Sequence, residues 1–228
     1  PPGASSSAVS VSSGSTWASC VVCTVNVRVV SAEANVRVPL LDDKSDVEVG
    51  FFQGGSAFAA NAPNLRSLGS IYYEPLWVFY RGAEIRDFGG LKGKRLAIGP
   101  EESGTRALAL QLLAVNATVM PPTVLLAESG LKASEMLLQG EIDALFIVGP
   151  PESPLVEKLV SSQGIRLLSL ERAEAYTRRF PYLTRLTLPR GVFDFISNNP
   201  AQDVTLVSPT ANLLARDTLH PELAFLLM

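Results

Sequence analysis

Histidine and cysteine are nearly missing from this sequence, which leaves few ways to build a metal centre or a nucleophilic active site. His220 is the single histidine, and Cys20 and Cys23 are the two cysteines. A zinc site would need two further ligands beside a Cys-x-x-Cys pair, and a redox pair would open a helix after a strand. His220 precedes Pro221, which predicts a helix-starting residue rather than a general base. We therefore expect no metal, no cofactor and no catalytic residue, and we interpret the cysteines as small buried side chains.

Basic clusters and long apolar runs are missing as well. The 228 residues carry 19 Lys and Arg against 22 Asp and Glu, and no run of basic residues occurs. This pattern argues against nucleic acid as a partner. No stretch of about 18 uninterrupted apolar residues occurs, so we expect no membrane insertion of this chain. The first residues lack the basic and apolar regions of a secretory signal, as expected of an exported protein whose signal peptide is removed and equally of a cytoplasmic protein.

The strongest functional signal is the segment Leu96-Ala-Ile-Gly-Pro-Glu-Glu-Ser-Gly-Thr-Arg106, in which an apolar strand turns into a helix. The first N–H groups of a helix have no intrahelical partner, and Gly104 lets a ligand approach the backbone closely. Ser103 and Thr105 add hydroxyl groups at the same place. The lysine of a nucleotide P-loop is missing after Thr105, so a carboxylate or similar small anion fits better than a nucleoside triphosphate. An ordinary helix N-cap without a ligand is the alternative.

Downstream of residue 96, short apolar strands alternate with amphipathic helices, which is typical of an α/β lobe around a mainly parallel sheet. Gly140 predicts a left-handed C-terminal cap, and Ser153 is interpreted as a helix-starting residue. Gly149 ends a predicted strand and should face a ligand cleft, because ligands of open α/β sheets bind beyond the carboxyl ends of the strands. The predicted strands are 96–99, 143–148, 165–170, 186–188 and 203–207, and the predicted helices are 105–116, 132–139, one beginning at residues 153–154, and 172–180.

The upstream part predicts a second lobe. Residues 47–52 form a strand that ends in a Gly-rich turn, and residues 65–80 are too long and too apolar for one ordinary strand. We expect this long segment to leave one lobe and enter the other, and residues 203–214 to return. The expected boundaries are residues 1–76 plus 208–228 for lobe 1 and residues 77–207 for lobe 2.

Several ordered motifs carry a family resemblance. They are Val47-Glu-Val-Gly-Phe-Phe-Gln-Gly-Gly55, Tyr73-Glu-Pro-Leu-Trp-Val-Phe-Tyr80, Leu91-Lys-Gly-Lys-Arg-Leu-Ala-Ile-Gly-Pro-Glu-Glu-Ser-Gly-Thr105, Gly140-Glu-Ile-Asp-Ala-Leu-Phe146, Glu171-Arg-Ala-Glu-Ala-Tyr176, Phe180-Pro-Tyr-Leu183, Asp203-Val-Thr-Leu206 and Leu219-His-Pro-Glu-Leu223. Over roughly residues 31–228 the chain resembles the TAXI-type solute receptors of TRAP transporters. The resemblance implies an α/β, bilobal periplasmic-binding-protein-like fold (type II) with two hinge crossings. It also implies a periplasmic location and a TRAP permease as the membrane partner.

The resemblance also implies a set of ligand-binding residues around the cleft between the lobes. They are Gln53, Gly54, Glu74, Ser103, Gly104 and Thr105, with Gly14 and Trp17 in the first Gly-rich loop. The two hydroxyls with the adjacent N–H groups would hold a carboxylate, and Glu74 would accept from a ligand amine or hydroxyl. A solvated strand-end acid at Glu74 and a turn-fixing amide at Gln53 are the alternatives.

These features favour a solute receptor that closes on a small organic anion, glutamate-like or dicarboxylic, and performs no chemistry. Because two chain crossings join the lobes, we expect hinges near Trp77 and Val78 and near Ser208 and Pro209. Two other classes stay open at this point, since fold does not determine function. One is a transferase-like enzyme on the same bilobal fold, and the other is a cytoplasmic ligand-sensing domain.

Overall fold

The computed structural model describes residues 27–28, 48–55, 64–101 and 103–228. The described strands are β1 (Val27–Arg28), β2 (Val49–Gln53), β3 (Leu65–Tyr73), β4 (Leu76–Arg81), β5 (Arg95–Ala97), β6 (Val124–Leu126), β7 (Ala144–Val148), β8 (Ile165–Leu167), β9 (Leu183–Leu188) and β10 (Val204–Arg216). The described helices are a 3₁₀ helix (Phe88–Leu91), α1 (Gly104–Val115), α2 (Gly130–Gln139), α3 (Pro154–Val160), α4 (Ala173–Arg179) and α5 (Pro221–Leu226). Gly14, Trp17, Cys20 and Cys23 lie outside the described residues.

The first sheet is organised around β10. Its C-terminal half pairs antiparallel with β2 on one side and with β3 on the other, and β1 continues the sheet in parallel with β2. Val49, Leu213 and Ala215 are buried on this sheet together with Leu219. The final helix α5 follows directly after Leu219, and residues of this C-terminal segment pack against the same cluster. The C-terminal segment therefore packs on the first sheet.

The second sheet has the strand order β6-β5-β7-β4-β8. β5 pairs in parallel with β6 and β7, whereas β4 pairs antiparallel with β7 and β8. Side chains on a strand alternate between the two faces of the sheet, and β4 shows this directly. Val78 packs in one core cluster with residues of α1 and α4, whereas Trp77 packs in the other with residues of α2 and α3. Helices cover both faces, and four of the five strands run in the same direction.

Two crossings join the sheets. β3 ends at Tyr73 in the first sheet, and β4 begins at Leu76 in the second. β10 pairs with β9 over residues 204–209 and then with β2 and β3 over residues 210–216. The backbone N–H of Glu74 donates to the carbonyl O of Pro209 at 3.0 Å, so the crossings lie side by side. The long apolar segment therefore does divide between two sheets.

The hinge predicted near Trp77 and Val78 stays a prediction, and the structure places these two residues inside a strand. Both residues lie inside β4, are 0% and 2% exposed, and pair with β7. Backbone rotation there would break ladder hydrogen bonds and a packed core, whereas Glu74 and Pro75 lie between the strands. The second hinge, at Ser208 and Pro209, and the predicted lobe boundaries stay predictions.

Other local features follow the sequence closely. Ser103 is the N-cap of α1, Gly140 ends α2 with φ of 80°, and His220 caps α5 by accepting from the backbone N–H of Glu222. β6 was not predicted, and β8 is shorter than expected. None of the helices in the described part of the chain has the length and apolar character needed to cross a bilayer.

Candidate ligand-binding site

The start of α1 offers unpartnered N–H groups, as the sequence predicts. The Ser103 hydroxyl accepts from the backbone N–H of Arg106 at 3.1 Å and donates to the carbonyl O of Pro100 at 2.9 Å. The N–H groups of Gly104 and Thr105 have no hydrogen-bond partner among the described residues. The Thr105 hydroxyl likewise makes no hydrogen bond within the described part of the chain. One hydroxyl therefore caps the helix, and the other remains open to a ligand.

A pocket of about 240 Å³ lies beside this helix start, at the carboxyl ends of β5 and β7. The first residues of α1, α2 and α3 all contribute to its wall. Its lining residues are Gly99, Thr105, Ser129, Gly130, Leu131, Phe146, Ile147, Val148, Gly149, Pro150, Ser153, Pro154 and Leu155. This is where ligands bind in open α/β sheets, because helix N-termini and strand carboxyl ends meet there.

Ser153 is the functional candidate that sequence reasoning missed. It is only 6% exposed, it lines the pocket, and its side chain does not cap α3. Its hydroxyl has no hydrogen-bond partner among the described residues. Because no fully buried side-chain nitrogen or oxygen among the described residues lacks a partner, the Ser153 hydroxyl is accessible, and a ligand or water can bind to it. The prediction of a helix start at Ser153 is confirmed, and its hydroxyl is a further candidate contact for a ligand.

Among the described residues, no titratable or charged side chain lines the pocket. Charged residues adjoin wall residues in the chain: Glu128 precedes Ser129, Glu152 precedes Ser153, and Arg106 follows Thr105. The Arg106 guanidinium donates to the carbonyl O of Gly99 at 3.1 Å, and Gly99 belongs to the wall. The N–H of Gly149, a wall residue, donates to the carbonyl O of Pro75 at 3.2 Å. Glu74 is the residue before Pro75 in the chain.

Glu74 is a buried carboxylate at the crossing between the sheets. It is 7% exposed, and its side chain has neither a hydrogen bond nor an ion pair within the described residues. Burial raises the pKa of Glu74 above its usual value of 4.5. The pKa of the Tyr72 hydroxyl is also raised, first by burial and then by the negative charge of Glu74. Glu74 is thus not the solvated strand-end acid of the alternative interpretation, although it does not line the pocket.

The Gly-rich turn after β2 contacts α1 of the second sheet. Gln53 Nε2 donates to the carbonyl O of Gly104 at 3.2 Å, and a Cβ atom at Gly104 would collide with Gln53 Oε1. The N–H of Gly54 donates to the carbonyl O of Thr210 at 2.7 Å within the first sheet. Gly104 is therefore needed for the close approach of the turn, and Gln53 bridges the two sheets beside the pocket.

Only two of the predicted ligand-binding residues in the described part of the chain line the pocket. Thr105 and Gly149 line the pocket, whereas Gln53, Gly54, Glu74, Ser103 and Gly104 do not. The N–H of Gly149 is used by Pro75, and its carbonyl O accepts from Trp77 Nε1 at 2.9 Å, so Gly149 shapes the pocket. Among the described residues, no group of three or more His, Cys, Asp or Glu side chains is placed to hold a metal ion.

Comparison with known families places the chain in one of them. The model of the NMT1-like family matches residues 24–228, and the chain belongs to this family. The α/β class and the two-lobed, periplasmic-binding-protein-like fold predicted from the sequence are confirmed, with two sheets joined by two crossings.

Solved structures with a similar fold are distant in sequence. XAC2383 from Xanthomonas citri, solved bound to ATP, has a TM-score of 0.51 at 13% identity over 78% of this chain and 61% of its own. The periplasmic aliphatic sulphonate binding protein SsuA from Escherichia coli has a TM-score of 0.46 at 18% identity over 75% and 47%. Protein AF1704 from Archaeoglobus fulgidus has a TM-score of 0.45 at 16% identity over 79% and 53%. The chain spans about half the length of the last two, and at such identities the likeness concerns the fold alone.

Proposed function

We propose that this chain is an extracytoplasmic solute receptor of the TAXI type that binds a small organic anion and delivers it to a TRAP-type permease. The observation that carries the proposal is the Ser153 hydroxyl, which belongs to the wall of a pocket at the start of α1 and has no hydrogen-bond partner among the described residues. Together with the Thr105 hydroxyl and the N–H groups of Gly104 and Thr105, it supplies hydrogen-bond donors for one carboxylate. Membership of the NMT1-like family supports the same function.

The composition of the pocket wall favours binding without chemistry. General acid or base catalysis needs a titratable side chain within hydrogen-bond reach of the substrate, and the described residues of the wall offer hydroxyls, N–H groups and apolar side chains. His220 lies outside the wall, as the cap of α5. We therefore propose that the bound solute leaves the protein unaltered.

The two-sheet architecture supports delivery to a membrane partner. A receptor that contacts its solute from both lobes converts occupancy into a change of shape, which a permease can recognise. Gln53 reaches from the first sheet to Gly104 at the start of α1, beside the pocket, so both lobes are in position to sense the solute. A periplasmic location and permease subunits as partners follow from this proposal.

Native mass spectrometry of the protein purified without denaturation tests the proposal. We expect a non-covalent adduct with the mass of a small organic acid, and the same acid unchanged after prolonged incubation with the protein. Steady conversion of the acid would place the protein among enzymes on this fold. A protein that retains no acid, and that binds none from a panel of carboxylates in calorimetry, would contradict the proposal.

A further inference from the structure

The turn Gln53-Gly54-Gly55 at the end of β2 belongs to the first sheet but lies against residues of the second lobe. We propose that Gln111 on α1 and Tyr182 before β9 form a latch with this turn, which holds the two lobes together and sets the ratio of closed to open molecules. Neither Gln111 nor Tyr182 lines the pocket. This latch goes beyond the proposed function, because it concerns the motion of the lobes and can be tested without a ligand.

Tyr182 is held in place by the second lobe. It packs against the core cluster that includes Leu108 and Leu112 of α1, and its ring centroid lies 6.0 Å from that of Phe180. Its hydroxyl donates to Gln111 Oε1. Burial raises the pKa of Tyr182 above its usual value of 10.0, so the hydroxyl keeps its proton and stays a donor at neutral pH. Because Oε1 accepts this hydrogen bond, Nε2 is the atom of the Gln111 amide that is left to donate.

The turn of the first lobe contacts both of these side chains. Gln111 Nε2 donates to the carbonyl O of Gly55 at 3.5 Å. Gly55 has φ of 78°, and a Cβ atom there would lie 2.2 Å from the Tyr182 ring. Glycine is the residue that tolerates both this backbone conformation and so close an approach. The missing side chain at Gly55 therefore brings the backbone of the turn against the Tyr182 ring.

The same turn is also fastened at the start of α1. Gln53 Nε2 donates to the carbonyl O of Gly104, seven residues before Gln111 and about two helical turns away, so both contacts lie on one side of the helix. Gly104 directly precedes Thr105 of the pocket wall. A hinge motion that moves the first sheet away from α1 has to break both contacts. Their strength therefore enters the equilibrium between closed and open lobes.

A latch made of such hydrogen bonds is reversible. When the lobes open, water replaces the protein partners of the amides and of the hydroxyl, so each hydrogen bond shifts the ratio of closed to open molecules by only about two- to tenfold. In a receptor whose solute binds the closed form, loss of the latch lowers the apparent affinity in proportion to the fall in the closed fraction. Tyr182 would then influence affinity without touching the solute.

Pulsed dipolar spectroscopy between two spin labels measures this ratio in the protein without any ligand. The labels are attached through Ser67→Cys in β3 and Ser161→Cys after α3, both at exposed positions, and Cys20→Ser and Cys23→Ser remove the other thiols. We expect a short and a long distance between the labels, for closed and open lobes. Tyr182→Phe keeps the ring and removes the hydroxyl, and it should lower the ratio of short to long distances by about two- to tenfold.

Tyr176→Phe is the matched control. The Tyr176 hydroxyl donates to Asn116 Oδ1 at 2.9 Å, and its ring belongs to the same core cluster, but this contact lies within the second lobe. The control should leave the distances unchanged, and the double variant Gln111→Ala/Tyr182→Phe should lower the ratio further than Tyr182→Phe does. The same distances in this double variant as in the unmodified protein, or an equal shift in Tyr176→Phe, overturn the latch. Because no solute is present, neither result bears on the proposed binding of an anion.

Discussion

Ser103 and Thr105 lie two residues apart on the same helix start, but their hydroxyl groups have different surroundings. The Ser103 hydroxyl is used twice, towards Arg106 and Pro100, while the Thr105 hydroxyl faces the pocket without a partner among the described residues. A capping hydroxyl stabilises the helix, whereas an open one can stabilise a bound carboxylate. Single substitutions can therefore separate helix capping by Ser103 from ligand binding by Thr105.

Thr105→Val should lower the affinity for a bound acid by roughly tenfold to a hundredfold, because a hydrogen bond to a charged group contributes about 1.5 to 3 kcal/mol. Ser103→Ala should instead lower the free energy of unfolding by about 0.5 to 2 kcal/mol through loss of the cap. Calorimetry measures the first effect and urea denaturation the second. Unchanged affinity in Thr105→Val would make the turn a structural cap and would place the ligand elsewhere.

The buried carboxylate of Glu74 predicts a pH-dependent stability. Its pKa in the folded protein is above 4.5, so the folded state holds this proton more tightly than the unfolded chain does. The stability it contributes is complete below pH 4.5 and is lost as the pH rises through the raised pKa. Glu74→Gln removes this titration and should be more stable than the unmodified protein at neutral pH, with a difference that shrinks towards acid pH.

Urea denaturation from pH 4 to pH 8 measures this difference. Glu152→Gln, at an exposed position before α3, is the matched control and should change the free energy of unfolding by less than about 0.5 kcal/mol throughout. A constant difference between Glu74→Gln and the unmodified protein over the whole range would show that Glu74 does not titrate as its burial requires.

At the scale of elements, the contact between the turn after β2 and α1 depends on a missing side chain. A Cβ atom at Gly104 would displace the Gln53 amide, which otherwise donates to the Gly104 carbonyl O. Gly104→Ala should therefore be destabilising in the unmodified protein. In a Gln53→Ala background the same change should be neutral or stabilising by about 0.5 to 1 kcal/mol, because Ala is the better helix former.

A double-mutant cycle in urea denaturation measures this coupling. The two single variants, the double variant and the unmodified protein give the interaction free energy between positions 53 and 104. An equal effect of Gly104→Ala in both backgrounds would show that the turn and α1 are not coupled through this contact.

The elements that the sequence predicted well are those with a local signal. Ser103, Gly140 and Pro154 mark helix ends through their own backbone chemistry, and α1, α2 and α3 begin or end next to them. β6 has no such signal, because it is three residues long and only its pairing with β5 defines it. The open hydroxyl of Ser153 also depends on packing between distant segments, which no local pattern contains.

At the scale of the whole molecule, the paired crossings at Glu74–Pro75 and Ser208–Pro209 predict a hinge motion. The backbone contact between Glu74 and Pro209 keeps the crossings together, and each crossing joins strands of different sheets. A ligand shifts such an equilibrium only by binding the closed form more tightly, which requires contact from both lobes. We expect a bound acid to draw the lobes together.

Small-angle scattering with and without a saturating acid measures this closure. We predict a smaller radius of gyration with ligand. In Gln53→Ala this decrease should be smaller, because the variant lacks the amide that joins the turn to α1. Identical scattering at saturation would indicate a static binding module.

The most direct test is native mass spectrometry of the protein beside two variants of the same helix region. Ser153→Phe fills the pocket, and Ser161→Phe places the same side chain at the exposed C-cap of α3. Thermal unfolding confirms beforehand that both variants are folded. We predict an organic acid bound to the unmodified protein and to Ser161→Phe and no acid bound to Ser153→Phe. An acid retained equally by all three proteins would contradict the assignment of this pocket as the binding site.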